Sequence, residues 1–493
     1  MNSHSVVHFD LQSAAKETMT EHGFQPEFSL QAQQQVQAIE SQPIPLVASD
    51  QVKDLRGLLW SSIDNDTSRD LDQIEYVEKL PNGDIRVLVG IADVDASVPK
   101  GTPLDEHAAR ETTSVYTGVR IFPMLPDPLS TGITSLLETG DRMACVVEYT
   151  VTAGGDVGGS SLYRALVRNR AQLAYNSVGA WLESRGDAPA KVAASPELQA
   201  QLKLQSEAAQ CLRTERYRHG ALNIETIETR PVFLKQEIVD IERQQKNLAT
   251  ELIEDFMIAA NEVVAQSIAA AKWPSIRRVV KTPKRWERIV ELAAQLGEKL
   301  PAVADSQALN EFLTKRRAAD PDHFPDLSLA VIKLMGPGEY VLQRPGESSD
   351  GHFGLAVQDY MHSTAPNRRF ADLTTQRLLK AMTAGEKCPY SADELSQIAT
   401  NCTLREDQAR KVEREMQKRI AAVAMSGRIG QTFNSLVTGV NEHGTFVRTL
   451  QPNMDGMLVQ GQQGVDVGDR LTVRLVDTDP RRGFIDFARA SVG

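Results

Sequence analysis

The chain has 493 residues, of which 41% are hydrophobic and 24% are charged, a composition typical of a soluble globular protein with two or three domains. Its net charge of −11, from 65 acidic and 54 basic residues, excludes a protein that coats nucleic acid over its whole surface, but allows an enzyme with a positive groove. No stretch approaches the roughly 18 apolar residues of a membrane span, so no membrane association is predicted.

The first residues show no basic head followed by an apolar run, so no secretory signal is predicted. The four cysteines are widely scattered and form no CxxC pair, which predicts neither a disulfide partner nor a zinc site. A monomer in a reducing cytoplasm is the simplest expectation.

Residues 1–50 are predicted to form a short helical leader. Within this segment FSLQAQQQVQAIE is typical of a helix, and the QPIPLV that follows ends it. No strand-rich pattern occurs there, so no β-barrel is predicted in the leader.

Residues 51–425 are predicted to form one mixed α/β domain. DIRVLVGIADVDASV has the pattern of a buried strand, and MACVVEYTVTAGGDV with SSLYRALVRNRAQLAY gives two strands joined by a Gly-Gly-Asp turn. Long helices are predicted over LATELIEDFMIAANEVVAQSIAAA, over KRWERIVELAAQLGEKL and from about residue 391 to residue 425.

Residues 427–493 change character, because short strands there alternate with Gly, Asn and Asp-Pro turns. This spacing is typical of a five-stranded OB-type β-barrel. The predicted fold class is therefore α+β and multidomain, with a mixed α/β domain followed by a C-terminal barrel.

The densest chemistry lies in SSIDNDTSRDLDQ, where four aspartates stand within nine residues: Asp64, Asp66, Asp70 and Asp72. Hard cations such as Mg²⁺ prefer oxygen ligands, and two of them about 3.5–4 Å apart can hydrolyse a phosphodiester. A solvated Asp-rich loop and a structural calcium loop are the alternatives. The calcium loop lacks the glycine at its sixth position and the glutamate at its twelfth. Spacing alone leaves the choice open.

Six strings in order resemble the ribonuclease II (RNB) family: SSIDNDTSRDLDQ, GIADVDASV, SVYTGVRIFPMLPDPLS, LIEDFMIAAN, HFGLAVQDYMHSTAPNRRFADL and QRLLKAM. The resemblance implies a catalytic domain with a deep, narrow channel for single-stranded RNA. It also implies hydrolytic, 3′-to-5′ digestion with Mg²⁺, or Mn²⁺ as the alternative, to nucleoside 5′-monophosphates. Typical bacterial members begin with two cold-shock barrels, and this sequence is expected to be a short form without them.

The resemblance implies that Asp64, Asp70 and Asp72 hold the metal, with Asp72 the most important for catalysis. The fourth aspartate of the family pattern falls on Gln73. An amide oxygen can still contact a cation but supplies no charge. The extra carboxylate of Asp66 could compensate or be a free surface charge.

Further residues are implied to contact RNA. Tyr116 matches a tyrosine beside the 3′-terminal nucleotides, and Tyr175 one that helps to choose RNA over DNA. Glu254 matches a reader of the ribose 2′-hydroxyl, with Asp255 as the alternative if the register shifts by one. Ile224 stands where the family has a stacking phenylalanine, so the end-product length is expected to differ.

Arg368 matches an arginine that grips a phosphate at the active site. Glu413 resembles a family glutamate on the long late helix, with ordinary ion pairing along the helix as its alternative role. His352 and His362 do not resemble a zinc pair and are expected to serve packing or RNA contact. In the barrel, the candidates for RNA binding are Phe446, Phe433 and Arg448, although small barrels also bury aromatic residues.

The sequence therefore predicts a metal-dependent exoribonuclease whose partner is single-stranded RNA. One rival is an RNA-binding protein on a catalytically weakened RNB scaffold, which Gln73 and Ile224 favour. A second rival is a metal-dependent hydrolase of a small phosphodiester, for which the barrel would have no evident use.

Overall fold

A computed structural model describes residues 9–225, 228–234, 237–244, 246–321 and 323–490, with the backbone alone over 228–244. The expected architecture, a mixed α/β domain followed by a five-stranded barrel, is confirmed. Across these ranges, no helix is both long enough and apolar enough to cross a bilayer.

The leader holds two helices, α1 (Leu11–Glu21) and α2 (Leu30–Ser41). Each begins at a side-chain cap, because Asp10 accepts from the backbone of Gln12 and Ser13, and Ser29 accepts from that of Ala32.

The large domain combines twelve strands and ten helices within the described residues. The strands are β1 (Val52–Asp54), β2 (Trp60–Asp64), β3 (Gln73–Lys79), β4 (Ile85–Ala92), β5 (Val115–Tyr116), β6 (Ile121–Phe122), β7 (Asp141–Val151), β8 (Val157–Ala174), β9 (Glu228–Leu234), β10 (Glu237–Gln244), β11 (Ser275–Val279) and β12 (Glu339–Gln343). The helices are α3 (Pro103–Glu111), α4 (Tyr175–Leu182), α5 (Ala190–Ala193), α6 (Pro196–Arg218), α7 (Leu248–Ala270), α8 (Trp286–Gln295), α9 (Ser306–Ala319), α10 (Phe324–Met335), α11 (Phe370–Thr383) and α12 (Ala392–Ser426).

The central sheet has the strand order β1-β8-β2-β3-β4-β7, and the long strand β8 also pairs with β7. β8 runs antiparallel to β7 over its first part and parallel to β2 over its last residues. The turn between β7 and β8 needs Gly155, which has φ +92° and lies so close to α6 that a side chain would clash with the backbone of Cys211. The predicted Gly-Gly-Asp turn is therefore observed.

The main hydrophobic core lies between this sheet and the helices packed on it, α7 among them, and it includes Trp60, Ile63, Leu88 and Phe256. A second core holds α8, α9 and α10 together. The 35-residue helix α12 opens with a capping box between Ser391 and Glu394, contacts α1 and β12, and continues to the barrel.

The barrel contains β13 (Thr432–Asn441), β14 (Gly444–Thr449), β15 (Met454–Gln460), β16 (Arg470–Asp479) and β17 (Phe484–Arg489). It closes in the order β13-β14-β15-β17-β16 around a core that includes Val447 and Phe487. α12 packs against β16 and β17, so one helix joins the barrel to the large domain.

Candidate active site

The acidic loop lies between the end of β2 and the start of β3. Asp64 closes β2, and its Oδ1 accepts hydrogen bonds from Ser68 Oγ at 2.8 Å and from the Asn65 backbone N–H at 2.6 Å. Asp66 is exposed at the turn that follows. The loop therefore folds back on Asp64 before it returns to the sheet.

The Ser135 hydroxyl holds the second half of the loop through two hydrogen bonds. The Leu71 N–H donates to Ser135 Oγ at 3.0 Å, and this hydroxyl donates to the Arg69 carbonyl at 2.6 Å. The Ala92 N–H, at the end of β4, donates to the Asp72 carbonyl at 2.9 Å. These bonds fix the backbone that carries Asp70 and Asp72.

Asp72 is buried, with 1% of its surface exposed. Its Oδ1 accepts from the Asn367 backbone N–H at 3.0 Å, and its Oδ2 accepts from Arg368 Nε at 3.3 Å. Burial raises the pKa of Asp72 to about 7, against the opposing effect of the Arg368 charge. A carboxylate that is this buried and this close to a guanidinium is typical of a functional site.

The Arg368 segment is itself tied to the strand before Tyr116. The Ser114 N–H donates to the Arg368 carbonyl at 3.0 Å, and the Phe370 N–H donates to the Thr112 carbonyl at 2.8 Å. On the other side, the buried Asp372 in the first turn of α11 accepts from the Ala365 N–H at 2.8 Å. The Arg368 backbone is thus held in place, while its side chain remains 43% exposed.

Tyr116 lies on the two-residue strand β5, which forms a hairpin with β6, and it contacts the acidic loop. Its Oη donates to Asp70 Oδ2 at 3.3 Å, and its backbone N–H donates to Glu413 Oε1 at 3.1 Å. Burial raises the pKa of the Tyr116 hydroxyl, so it remains a neutral donor. Glu413 thus contacts the Tyr116 backbone, and the positive charge of Arg410 on the same helix also acts on it.

Tyr175 and Glu254 lie on the Asp64 side of the loop. Ala174, which ends β8, pairs with Asp64, so Tyr175 follows directly at the start of α4. Burial raises the pKa of Tyr175, and the charges of Asp64 and Glu254 add to this effect. On α7, Glu254 is 41% exposed and accepts from Lys246 Nζ at 2.7 Å.

Asp255 cannot serve as the alternative ribose reader. It is 1% exposed, and its carboxylate pairs with Arg213, at 2.9 Å, and with Arg216. The expectation that Asp255 could replace Glu254 is therefore wrong, because these two arginines already occupy its oxygens.

The other candidate residues lie away from the acidic loop. Ile224 packs on the second core formed by α8, α9 and α10. Phe446 on β14 is partly buried and pairs with Met457 of β15. Phe433 is in the barrel core, with its ring centroid 6.3 Å from that of Phe487, so its candidacy for base stacking is wrong.

The two histidines serve packing. The His352 ring lies edge-on to Tyr360 with centroids 5.5 Å apart, and Nδ1 of the partly buried His362 shares a hydrogen bond with Tyr340 Oη at 2.8 Å. Arg448 is tied by ion pairs to Asp326 at 2.7 Å and to Asp455 at 2.8 Å.

Three residues near the loop were not expected from the sequence: Asn367, Asp372 and Glu75. Asn367 acts through its backbone N–H on Asp72, 295 residues earlier in the chain, and Asp372 through the Ala365 N–H, seven residues earlier. Glu75 on β3 is fully buried, and neither of its side-chain oxygens has a hydrogen-bond partner among the described residues. The one signal for Glu75 was a charged residue at the third position of the strand QIEYV.

The carboxylate oxygens of the acidic loop are donors of the kind that a hard divalent cation prefers. Burial raises the pKa values of Asp70 and Asp72, and each is raised further by a carboxylate beside it, Asp64 for Asp70 and Asp70 for Asp72. A cation would relieve this repulsion. In the part of the chain that the structure describes, no three acidic, histidine or cysteine side chains already converge on one point, so carboxylates must turn for a cation to bind.

Comparison with known families matches residues 52–385 to the RNB domain, which covers the central sheet, the acidic loop and the Arg368 segment. The chain belongs to the RNB family. Residues 431–490 match the RNase II-type exonuclease C-terminal S1 domain, which corresponds to the barrel. The resemblance inferred from the six strings is thereby confirmed.

Several curated relatives are ribonuclease R proteins. The chain is 31% identical to ribonuclease R of Escherichia coli (strain K12) over 497 residues, covering 93% of this chain and 60% of that protein. It is 28% identical to ribonuclease R 1 of Lactococcus lactis, covering 88% of this chain and 56% of that protein. The chain thus spans less than two thirds of the length of these relatives.

Solved structures share the RNB fold. Mycoplasma genitalium RNase R in complex with ribose-methylated single-stranded RNA superposes with a TM-score of 0.85 at 23% identity, covering 98% of this chain and 78% of that chain. Yeast Ssd1, described as a pseudonuclease, superposes with a TM-score of 0.72 at 17% identity, covering 92% of this chain and 56% of that chain.

Proposed function

We propose that this protein is a hydrolytic 3′-to-5′ exoribonuclease that digests single-stranded RNA to nucleoside 5′-monophosphates. The observation that carries the proposal is the Asp72 carboxylate, buried between Asn367 and Arg368 with Asp70 and Tyr116 beside it, in a chain that belongs to the RNB family. This cluster combines acidic oxygens with a guanidinium and a phenol, the groups that phosphodiester hydrolysis requires.

Mg²⁺, or Mn²⁺ in its place, is the proposed cofactor, held by Asp64, Asp70 and Asp72 with Gln73 beside them. When bound, it would supply an activated water and stabilise charge at the scissile phosphate. Water adds to phosphorus and the bond to the O3′ of the preceding nucleotide breaks, so the terminal nucleotide leaves with its 5′-phosphate and the shortened strand gains a 3′-hydroxyl.

Arg368 is proposed to clamp the scissile phosphate. Its side chain is 43% exposed and lies 3.3 Å from Asp72 through Nε alone, so other guanidinium nitrogens are free to reach a phosphate. A guanidinium can bind two phosphate oxygens at once, which stabilises the charge that builds up there. The Tyr116 ring lies beside the same carboxylates and can position the terminal nucleotide.

RNA rather than DNA is the proposed substrate, because Glu254 and Tyr175 lie together on the Asp64 side of the loop. The partly exposed Glu254 carboxylate can accept a hydrogen bond from a ribose 2′-hydroxyl, which DNA lacks. The solved complexes of Mycoplasma genitalium RNase R with single-stranded and double-stranded RNA support the substrate class. Phe446 on the barrel would contact the incoming strand, and a cytoplasmic monomer is the expected working form.

Digestion of an RNA with a 3′ overhang, labelled at its 5′ end and resolved at single-nucleotide level, tests polarity and end product together. We expect a ladder that shortens from the 3′ end with Mg²⁺ and no digestion with a chelator. Shortening from the 5′ end, or internal cuts, would contradict the exonuclease assignment. A preference for a dinucleotide over the long strand would favour a hydrolase of small phosphodiesters.

A catalytically weakened RNA-binding protein is the second candidate. Gln73 in place of a carboxylate favours it, and so does the structural similarity to Ssd1, a protein described as a pseudonuclease. Tight binding of the same labelled RNA, with no digestion at any concentration of Mg²⁺ or Mn²⁺, would support this candidate over the nuclease.

A further inference from the structure

Glu75 is a buried carboxylate with no evident structural role. It is 0% exposed, and both of its side-chain oxygens lack a hydrogen-bond partner within the described ranges. Buried carboxylates are normally paired or bound to a cation, because loss of hydration is costly. An apolar residue would suit the fold better at this position, so the carboxylate points to a ligand.

Glu75 is the third residue of β3, the strand that begins where the acidic loop ends. Side chains alternate along a strand, so Glu75 lies on the same face as Gln73, about 6.7 Å further along the strand. Glu75 pairs with Ser61 on β2, the strand that ends at Asp64. The extra methylene of a glutamate allows its carboxylate to lean along the strand toward Gln73.

Two groups of the candidate site, Asp64 and Tyr175, lie near Glu75, and so does Tyr149 of the core. Burial raises the pKa of Glu75, and the Asp64 charge raises it further. Burial likewise raises the pKa of Tyr175, to which Asp64, Glu75 and Glu254 all contribute. Glu75 therefore lies within electrostatic reach of the carboxylate that opens the acidic loop and of the tyrosine that follows it.

We propose that Glu75 is a ligand of the divalent cation and supplies, from the same face of β3, the negative charge that Gln73 lacks. Asp64 and Glu75 would then flank the Gln73 amide oxygen, giving one neutral and two charged oxygen donors of the kind that Mg²⁺ and Mn²⁺ accept. This inference rests on the proposed metal-dependent function. It explains why the buried first half of β3 carries an unpaired acid.

The experiment compares Mn²⁺ binding to the full chain and its variants by electron paramagnetic resonance of free Mn²⁺, with and without AMP as a phosphate that is not digested. We expect Glu75→Gln to weaken Mn²⁺ binding at least about tenfold, because the site loses one of its charges. The control is Glu78→Gln on the same strand, whose side chain is exposed and should leave binding unchanged. In chelator, Glu75→Gln should melt at the same temperature as wild type or higher.

A second variant tests whether Glu75 and Gln73 serve one site. Gln73→Asp should restore binding in the Glu75→Gln background and change it much less in the wild-type background, since the two carboxylates serve one site. Equal effects in both backgrounds would overturn the proposal. Unchanged Mn²⁺ binding by Glu75→Gln, or no Mn²⁺ binding by wild type, would do the same.

The RNA digestion assay separates this inference from the proposed function. If the chain binds Mn²⁺ through Glu75 but leaves RNA intact, the proposed exoribonuclease function is wrong and the assignment of Glu75 as a metal ligand stands. If the chain digests RNA only with a cation, but binds Mn²⁺ equally well after Glu75→Gln, the assignment of Glu75 as a metal ligand is wrong and the proposed exoribonuclease function stands.

Discussion

The Asp72 carboxylate combines burial, a backbone hydrogen bond from Asn367 and the charge of Arg368. We expect Asp72→Asn to lower the rate of RNA hydrolysis by at least about a thousandfold, because a lost ligand removes several kcal/mol of charge stabilisation. RNA binding should persist, since an asparagine still accepts from the Asn367 N–H.

The measurement pairs single-turnover digestion with fluorescence anisotropy of a labelled single strand in chelator. Asp66→Asn is the matched control, because Asp66 belongs to the same loop but is exposed at its turn. Undiminished nucleotide release by Asp72→Asn would show that the chemistry lies elsewhere.

His107 on α3 makes stability depend on pH. Burial lowers its pKa to about 4 from the ordinary 6.5, and the nearby Arg110 charge adds to this effect. At a pH between these two pKa values, the unfolded chain therefore binds a proton that the folded chain does not. The stability contributed by neutral His107 is complete above about pH 6.5 and is lost as the pH falls toward 4.

Urea unfolding of wild type and His107→Gln at about pH 7.5 and pH 5 tests this effect. Acidification should cost the variant about 2 kcal/mol less than it costs wild type, because glutamine does not titrate. An equal loss in the two proteins would mean that His107 has the same pKa in the folded and the unfolded chain.

The sequence was sufficient to single out Asp70, Asp72, Tyr116 and Arg368, which the structure brings into one place. It was not sufficient for Asn367 and Glu75. Asn367 acts through its backbone N–H, which no side-chain pattern reveals. Glu75 lies on a strand of mixed residues, and only the three-dimensional packing shows that it is buried where α6 contacts β3.

At the scale of elements, helix α1 supports the hairpin of β5 and β6 that carries Tyr116. Met19 belongs to a small core with Val115 and Phe122 of the hairpin and Met416 of α12. The Gln12 side chain also donates to the Val119 carbonyl at 2.8 Å, near the tip of the hairpin. The leader is therefore part of the scaffold that places the Tyr116 hydroxyl on Asp70.

We expect Met19→Ala to lower the free energy of unfolding by about 2–4 kcal/mol, as cavities in a packed core do. The loosened hairpin should also raise the KM for RNA among molecules that remain folded. Steady-state digestion below the melting temperature, with Glu17→Ala on the exposed face of α1 as control, measures both effects. A stability loss without any change in KM would limit α1 to a structural role.

Among the described residues, two of the three longest helices followed from periodicity, whereas α6 was missed. α7 and α12 begin and end within a few residues of the predicted bounds, because their apolar spacing and caps are strong local signals. β5 and β6 have two residues each, too few to show any alternation, and were missed. The second core under α8, α9 and α10 was also missed, since local patterns do not show which helices share a core.

At the scale of the molecule, one ion pair ties the barrel to the second core. Arg448 of β14 donates to Asp326 of α10 at 2.7 Å, and the arginine side chain is 16% exposed. We expect Arg448→Met and Asp326→Asn to be coupled by about 1 kcal/mol in a double-mutant cycle of unfolding, as partly exposed pairs are.

The same variants should bind a long single strand more weakly than wild type and a short one equally well, because only the long strand reaches the barrel. Anisotropy with oligonucleotides of two lengths measures this, and Arg470→Met, at an exposed barrel position, is the control. If the variants bound both lengths of RNA equally weakly, Arg448 would act in the expected RNA channel rather than through its contact with Asp326.

The partners of Asp72 lie 295 and 296 residues further along the chain. At a synthesis rate of about 5–20 residues per second, they leave the ribosome roughly 15–60 seconds after Asp72 does. Until then the acidic loop has neither its guanidinium nor the backbone N–H of Asn367 that holds Asp72. The proposed nuclease activity would therefore be absent from a nascent chain, held beside its own messenger RNA, for most of its synthesis.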